Sequence, residues 1–335
     1  MLHLIRLIVA VFISFQFGNF HWGWAQSLDL DRRWKEEIRD PLSSFGELQE
    51  KILKASQNVH FVFVAGFLNG LAKGPGVSYM GENIRAVTDR DSFHSTASYL
   101  GPRSKVSIAG NEKFILGELL NIHEQVGAPL VVFLHSKAVP EVMNVVFRHP
   151  ELMLGDAPVI ARVISVQGAL GGSSLAAGNY FGLRPINFLF GPGFRSLAPD
   201  PLRQALMEAY SVFKERLATL YGHLGSEIVD QQRASISKRI FYVSSFEEAK
   251  DMSWGVWAVL GVCGGNLHAL GLNDGLLLVK NQVFTPPEGE PEFGVSLNPI
   301  RADHTALTLR APFSSLFPYQ MRAFTRAVIG LALEE

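Results

Sequence analysis

The stretch that decides the fold reads Val131-Val132-Phe133-Leu134-His135-Ser136-Lys137-Ala138. Its first four residues are apolar, which is typical of a short strand buried inside a parallel sheet. The spacing of apolar residues that follows predicts a helix over residues 137–149. A strand, a polar Ser136 and a helix in direct succession predict a sharp turn that exposes the Ser136 hydroxyl above the sheet. The amides at the start of the helix would favour a negatively charged oxygen nearby.

Strands and helices alternate along most of the chain. The patterns predict strands at 58–65, 105–109, 129–134, 159–167 and 240–243, and helices within 28–57 and at 114–125, 137–149, 201–221 and 319–333. This alternation indicates an α/β fold with a mostly parallel central sheet and helices on both faces. Residues 171–238 interrupt the alternation. We interpret them as a helical cap inserted over the carboxyl edge of the sheet.

The first 25 residues have the pattern of a targeting segment. Arg6 provides a positive charge, and the apolar run at 7–17 is too short to span a bilayer comfortably. Gly23 and Ala25 then place small residues at the −3 and −1 positions of a cleavage site. We therefore predict a cleaved signal peptide at 1–25 and an exported, periplasmic or extracellular domain at 26–335. An uncleaved membrane anchor is the alternative.

The composition argues against several classes of function. The 335 residues carry a formal net charge of −1 and no long basic run, so we expect no nucleic-acid partner. Cys263 is the only cysteine, which excludes an intramolecular disulfide, and its apolar surroundings in sequence predict a buried side chain. Neither a His-Glu-x-x-His motif nor a phosphate-binding glycine loop occurs, so we expect no metal and no cofactor.

Ser136 is a candidate nucleophile because acidic and basic partners follow it in the chain. A serine hydroxyl needs a base at neutral pH, and the base needs an acid that fixes its tautomer. Asp274 and then His304 supply these groups in the order Ser, Asp, His that is expected for such a sheet. Asp251 is an alternative acid. Each residue also has a structural alternative. Ser136 could cap the following helix, and His304 could be a surface histidine that bonds Asp303.

The chain resembles α/β-hydrolase lipases and esterases over about residues 59–308. Five segments in the family's order carry the resemblance: Val64-Ala65-Gly66-Phe67-Leu68, His135-Ser136-Lys137, residues 166–173, Asn273-Asp274-Gly275-Leu276 and Asp303-His304. The resemblance implies hydrolysis of carboxylic esters through an acyl-enzyme. It also implies an oxyanion hole made by the backbone N–H groups of Phe67 or Leu68 and of Lys137. A small-molecule or lipid ester would be the substrate, and transient contact with a lipid or membrane surface is a further expectation.

The chain departs from the family pattern at the turn that carries the serine, the nucleophile elbow. Leu134 and Ala138 stand where Gly-x-Ser-x-Gly has its glycines, and Ala65 replaces a histidine of the family's oxyanion loop. A second hypothesis is therefore a non-catalytic binding protein that kept the hydrolase fold. In that case the Ser136 hydroxyl would lie beyond hydrogen-bond reach of His304. A third hypothesis is an acyltransferase, because one triad can serve both reactions.

For the two residues next to Ser136 and for the aromatic stretch at 180–194 we predict mainly structural roles. We expect His135 to pack beside the elbow, with its side chain directed away from that of Ser136. Lys137 is expected to act through its backbone N–H only. The aromatic stretch at 180–194 is interpreted as the core of the cap, and a lipid-binding lid is the alternative.

Overall fold

The computed structural model describes residues 30–67, 69, 78–177, 192–248, 251–252, 270–310 and 314–334. Several predictions fall outside these residues and stay predictions. They are the signal peptide at 1–25, the role of Leu68, the burial of Cys263 and most of the aromatic stretch at 180–194.

A parallel sheet forms the centre of the molecule. In the described part of the chain the strands are β1 His60–Val64, β2 Ser78–Tyr79, β3 Thr96–Leu100, β4 Leu130–His135, β5 Ile160–Val166, β6 Ile240–Phe246, β7 Val295–Arg301 and β8 Leu309–Arg310. Six of them pair in the order β3-β1-β4-β5-β6-β7, and each neighbouring pair is parallel. The short β2 and β8 form a separate antiparallel pair. The predicted α/β architecture is confirmed.

Helices cover both faces of this sheet. Numbered in chain order over the described residues, they are α1 Leu30–Arg39, α2 Gln49–Gln57, α3 Gly81–Thr88, α4 Ile108–Val126, α5 Ala138–Arg148, α6 Pro199–Tyr221, α7 Ser226–Ser237 and α8 Pro318–Glu334. None of these helices is both long and apolar enough to cross a membrane.

Alternating residues of β4 explain why two helical layers are needed. Leu130, Val132 and Leu134 belong to the buried cluster that contains the apolar side of α4, α5 and α6. Val131 and Phe133 belong to the second cluster, with the apolar sides of α1 and α8. Successive side chains of a strand point to opposite faces, so an entirely apolar strand requires a partner layer on each side.

One predicted strand is wrong, and four of the described strands were not predicted. Residues 105–109 lead into α4, because the Ser107 side chain accepts a hydrogen bond from the Gly110 N–H at 3.2 Å and caps the helix. Two of the missed strands, β3 and β7, are the edges of the six-stranded sheet, and the other two are the short β2 and β8. Both edge strands contain partly exposed polar residues, so neither has the apolar run of a central strand.

The segment 171–238 contributes to the main helical layer. Its long helix α6 buries Leu202, Leu206 and Phe213 in the same cluster as α5. At least this part of the segment therefore covers a face of the sheet. The cap with boundaries at 171 and 238 stays a prediction, because residues 178–191 lie outside the described ranges.

Candidate active site

The turn between β4 and α5 holds Ser136 in an uncommon backbone conformation. Its φ angle is 57°, in the left-handed region that non-glycine residues rarely adopt. Three backbone hydrogen bonds hold it there: the Ser136 N–H donates to Val166 O at 3.2 Å, and its carbonyl accepts from the N–H groups of Val139 and Ala169 at 3.1 and 3.3 Å. Strain of this kind persists where surrounding contacts determine it, and it is common at functional sites.

The structure brings the three predicted triad residues together. His304 Nε2 lies 2.9 Å from Ser136 Oγ, and His304 Nδ1 lies 2.8 Å from Asp274 Oδ2. The side chains of His304 and Asp274 are 5% and 0% exposed. These distances are within the range that proton transfer between side chains requires.

Asp274 is held as a hydrogen-bond acceptor. Its Oδ1 accepts from the N–H groups of Leu276 and Leu277 at 3.0 and 2.8 Å, and its Oδ2 accepts from Gln282 Nε2 at 3.2 Å. An ionised carboxylate can only accept, so this environment suits the charged form. The alternative acid, Asp251, is partly exposed and bonds Arg301 instead.

The loop around His304 is fixed by its neighbour in sequence. Asp303 Oδ1 accepts from the N–H groups of Thr305 and Ala306, and its Oδ2 accepts from Ser315 Oγ. The His304 N–H also donates to Asp274 O at 2.8 Å. His304 is therefore a buried residue that faces Asp274, and the alternative of a surface histidine bonded to Asp303 is wrong.

The predicted oxyanion loop approaches Ser136 closely at Gly66. A Cβ atom on Gly66 would lie 2.6 Å from His135 O and 2.8 Å from Ser136 Cβ, so only glycine fits there. Phe67 follows directly, and Lys137 lies at the start of α5 on the other side of Ser136 in the chain. The role of Phe67 and Lys137 in an oxyanion hole stays a prediction.

The structure accommodates the departures from Gly-x-Ser-x-Gly. Leu134 and Ala138 are fully buried and belong to the same apolar cluster. Leu134 also keeps its place in the ladder of the sheet, opposite Val64 and Ser165. These residues leave the contact between Ser136 and His304 intact.

His135 has a polar role that the sequence did not indicate. Its ring is buried, with Nδ1 2.6 Å from Tyr79 Oη and Nε2 2.8 Å from His304 O. Burial, with a smaller contribution from the nearby His304, lowers the pKa of His135 to about 3. Gln167 Oε1 is a further partner of Nε2, at 3.1 Å. No sequence signal identified Tyr79, and the roles of these side chains depend on contacts through space.

Lys137 contributes through its side chain, which differs from the expectation. Its ammonium group is buried, pairs with Glu141 and donates to Val106 O at 3.0 Å. Glu141 also accepts from Asn111 Nδ2 at 2.6 Å. Burial raises the pKa of Glu141, and the charge of Lys137 opposes this shift. The pair thus joins the first turn of α5 to α4 and to the loop before it.

Among the residues that the structure describes, no group of three or more His, Cys, Asp or Glu side chains could hold a metal ion.

Comparisons with known proteins identify the fold. No family model and no curated protein matches the sequence. Among solved structures, the chain is similar to a metagenomic carboxyl esterase, MGS0156, with a TM-score of 0.57 at 19% identity over 83% of this chain and 76% of the esterase. Lipase BlEst2 of Bacillus licheniformis, in its mature form, has a TM-score of 0.45 at 16% identity over 74% of this chain and 85% of the lipase. Together with the sheet order, the first of these likenesses shows that the chain has the α/β-hydrolase fold.

Proposed function

We propose that the protein is a serine ester hydrolase that acts through an acyl-enzyme. Ser136 Oγ gives its proton to His304 Nε2 and bonds to the ester carbonyl carbon. The bond to the alcohol then breaks, and the leaving alcohol takes the proton from His304. Water hydrolyses acyl-Ser136 by the same steps. The continuous hydrogen-bonded chain from Ser136 through His304 to Asp274 is the observation that carries this proposal.

The negative oxygen of each tetrahedral intermediate would need backbone donors. We assign this role to the N–H groups of Phe67 or Leu68 and of Lys137. The close approach of Gly66 to Ser136 and the start of α5 next to Ser136 support the assignment. The non-catalytic alternative required a Ser136 hydroxyl out of reach of His304, and the separation of 2.9 Å does not favour it.

We further propose that the substrate is an ester with an apolar acyl group, reached after export. The likeness of the fold to that of a carboxyl esterase supports an ester as the substrate. Leu270 and Leu272, close to Asp274 in the chain, are 46% and 66% exposed and would suit an apolar ester or a lipid surface. The signal pattern at 1–25 supports export, and the cap at 171–238 would shape the acyl site.

Hydrolysis of p-nitrophenyl esters tests the proposal. Acyl groups from acetyl to dodecanoyl would define the preferred chain length. We expect turnover by the natural protein and only background turnover by Ser136→Ala and His304→Ala, because nucleophile and base act as one unit. Ser226→Ala, at an exposed position of α7, is the matched control and should keep full activity. Turnover by Ser136→Ala equal to that of the natural protein would refute the proposal.

A further inference from the structure

A largely buried hydrogen-bond network adjoins the candidate active site. It begins at the Gly66 N–H, which donates to Tyr79 Oη at 3.0 Å, and continues from Tyr79 Oη to His135 Nδ1 at 2.6 Å. It ends at His135 Nε2, which lies 2.8 Å from His304 O and 3.1 Å from Gln167 Oε1. Tyr79 also contacts the His135 ring edge to face, with centroids 5.6 Å apart.

Donor and acceptor roles in this network follow from the chemistry of each group. Because Tyr79 Oη accepts from the Gly66 N–H, its own proton is available for His135 Nδ1. His135 Nδ1 is then an acceptor, and the ring proton lies on Nε2, where it is shared by His304 O and Gln167 Oε1. Only the neutral Nε2–H tautomer satisfies every partner. The lowered pKa of His135, caused mainly by burial, is consistent with a ring that stays neutral.

The network joins the backbones of two residues, Gly66 and His304, that both lie next to Ser136. Gly66 precedes Phe67 of the predicted oxyanion loop, and the His304 carbonyl belongs to the residue that would act as base. His135 is covalently joined to Ser136. Gln167 extends the network, because its Nε2 donates to Asp303 O at 2.8 Å and to Ser245 Oγ at 2.5 Å.

We propose that Tyr79 and His135 are positioning residues that set the distances among the Gly66–Phe67 segment, Ser136 and His304. Neither side chain touches the reacting atoms. They act by fixing the backbone of the base and of the oxyanion loop. This inference rests on the proposed function, and it adds two residues to it that the triad alone would not identify.

The chain contains a matched control for a merely structural histidine. His60 is also buried, and both of its ring nitrogens are bonded, to Thr96 Oγ1 at 2.7 Å and Ser98 Oγ at 2.8 Å. It pairs with Leu130 at the start of β4, whereas Ser136 follows the end of that strand. Loss of the His60 ring should therefore reduce stability without moving the site.

The test compares Tyr79→Phe, His135→Phe and His60→Phe, with kcat, KM and Tm measured for each on p-nitrophenyl acetate. We expect Tyr79→Phe and His135→Phe to lower kcat by about tenfold or more with KM within about threefold, since small displacements of catalytic groups affect mainly the chemical step. His60→Phe should lower Tm and keep kcat. Phenylalanine retains the ring contact of Tyr79, so Tyr79→Phe removes only the hydroxyl.

A second measurement does not depend on activity. Nitrogen-15 NMR of His135 should show a neutral Nε2–H tautomer at neutral pH, in the natural protein and in Ser136→Ala. An Nδ1–H or charged ring would overturn the inference. So would an unchanged kcat in both Tyr79→Phe and His135→Phe while the natural protein hydrolyses the ester. Absence of turnover by the natural protein would instead refute the proposed function, and the positioning role with it.

Discussion

At the scale of single residues, the site depends on a close approach between two backbone segments. Gly66 has no room for a side chain, because His135 O and Ser136 Cβ occupy the space that a Cβ atom would need. The residue types and order of the triad were predictable, since each group needs the next for its chemistry. Gln282 and Tyr79 were not predictable, because a polar residue in a loop carries no signal of the partner it meets.

The substitution Gly66→Ala tests this approach. The added methyl group would meet backbone and Cβ atoms at 2.6 and 2.8 Å, so one segment must move. We expect at least a hundredfold loss of kcat/KM. Gly117→Ala is the control, since Gly117 is exposed in α4 with nothing within 4 Å of an added Cβ. This control should be neutral or more stable by up to about 1 kcal/mol. Full activity of Gly66→Ala would contradict the geometry.

The buried neutral His135 predicts a pH dependence of stability. Its folded-state pKa is lowered from 6.5 to about 3, so the unfolded chain binds the extra proton between these values. The free energy of unfolding should therefore fall as pH drops below 6.5, by up to about 1.4 kcal/mol per pH unit from this residue. Urea unfolding at pH 7.5 and 5.0 should show a smaller acid loss for His135→Phe than for the natural protein. Equal losses would argue against a neutral buried ring.

At the scale of elements, central strands were predictable and edge strands were not. β1, β4, β5 and β6 are apolar on both sides because helices cover both faces, and their sequences show this directly. Edge strands meet solvent and need fewer apolar residues, so β3 and β7 resemble loops. The false strand at 105–109 arose because Val106 and Ile108 alternate with polar residues, while Ser107 in fact starts a helix.

The buried ion pair of Lys137 and Glu141, which joins α5 to α4, should contribute strongly to the free energy of unfolding. Glu141→Gln would leave the Lys137 ammonium buried without its counter-charge, so we expect a loss of about 3 kcal/mol or more in the free energy of unfolding. The control is Glu36→Gln. It breaks the largely exposed ion pair of Arg32 and Glu36, which has the same four-residue spacing. This control should change stability by less than about 1 kcal/mol in the same urea titration. Similar effects of both substitutions would contradict the buried pair.

At the scale of the whole molecule, the two ends of the described chain stabilise each other. Helices α1 and α8 share one apolar cluster with the sheet. Trp34 Nε1 donates to Gln320 O at 2.9 Å, and Arg326 Nε pairs with Glu37 at 2.8 Å. The spacing of apolar residues predicted helices within 28–57, but the partner of α1 at the other end of the chain could not be predicted from periodicity.

Two deletions test this dependence. Removal of residues 1–40 takes away α1 and exposes the apolar side of α8, so we expect a much lower Tm or aggregation. Removal of residues 1–25 leaves α1 in place and provides the reference Tm. Thermal unfolding followed by circular dichroism measures both. Equal Tm values for the two deletions would show that α1 does not contribute to the core.

The most direct measurement of the central claim is covalent labelling by a fluorophosphonate, followed by peptide mass spectrometry. An ordinary serine does not react, whereas a serine activated by a histidine and an acid does. The proposed geometry predicts one adduct, on Ser136, and its loss in Ser136→Ala and in His304→Ala. An unlabelled natural protein, or an adduct on a different serine, would contradict the assignment of Ser136 as the nucleophile.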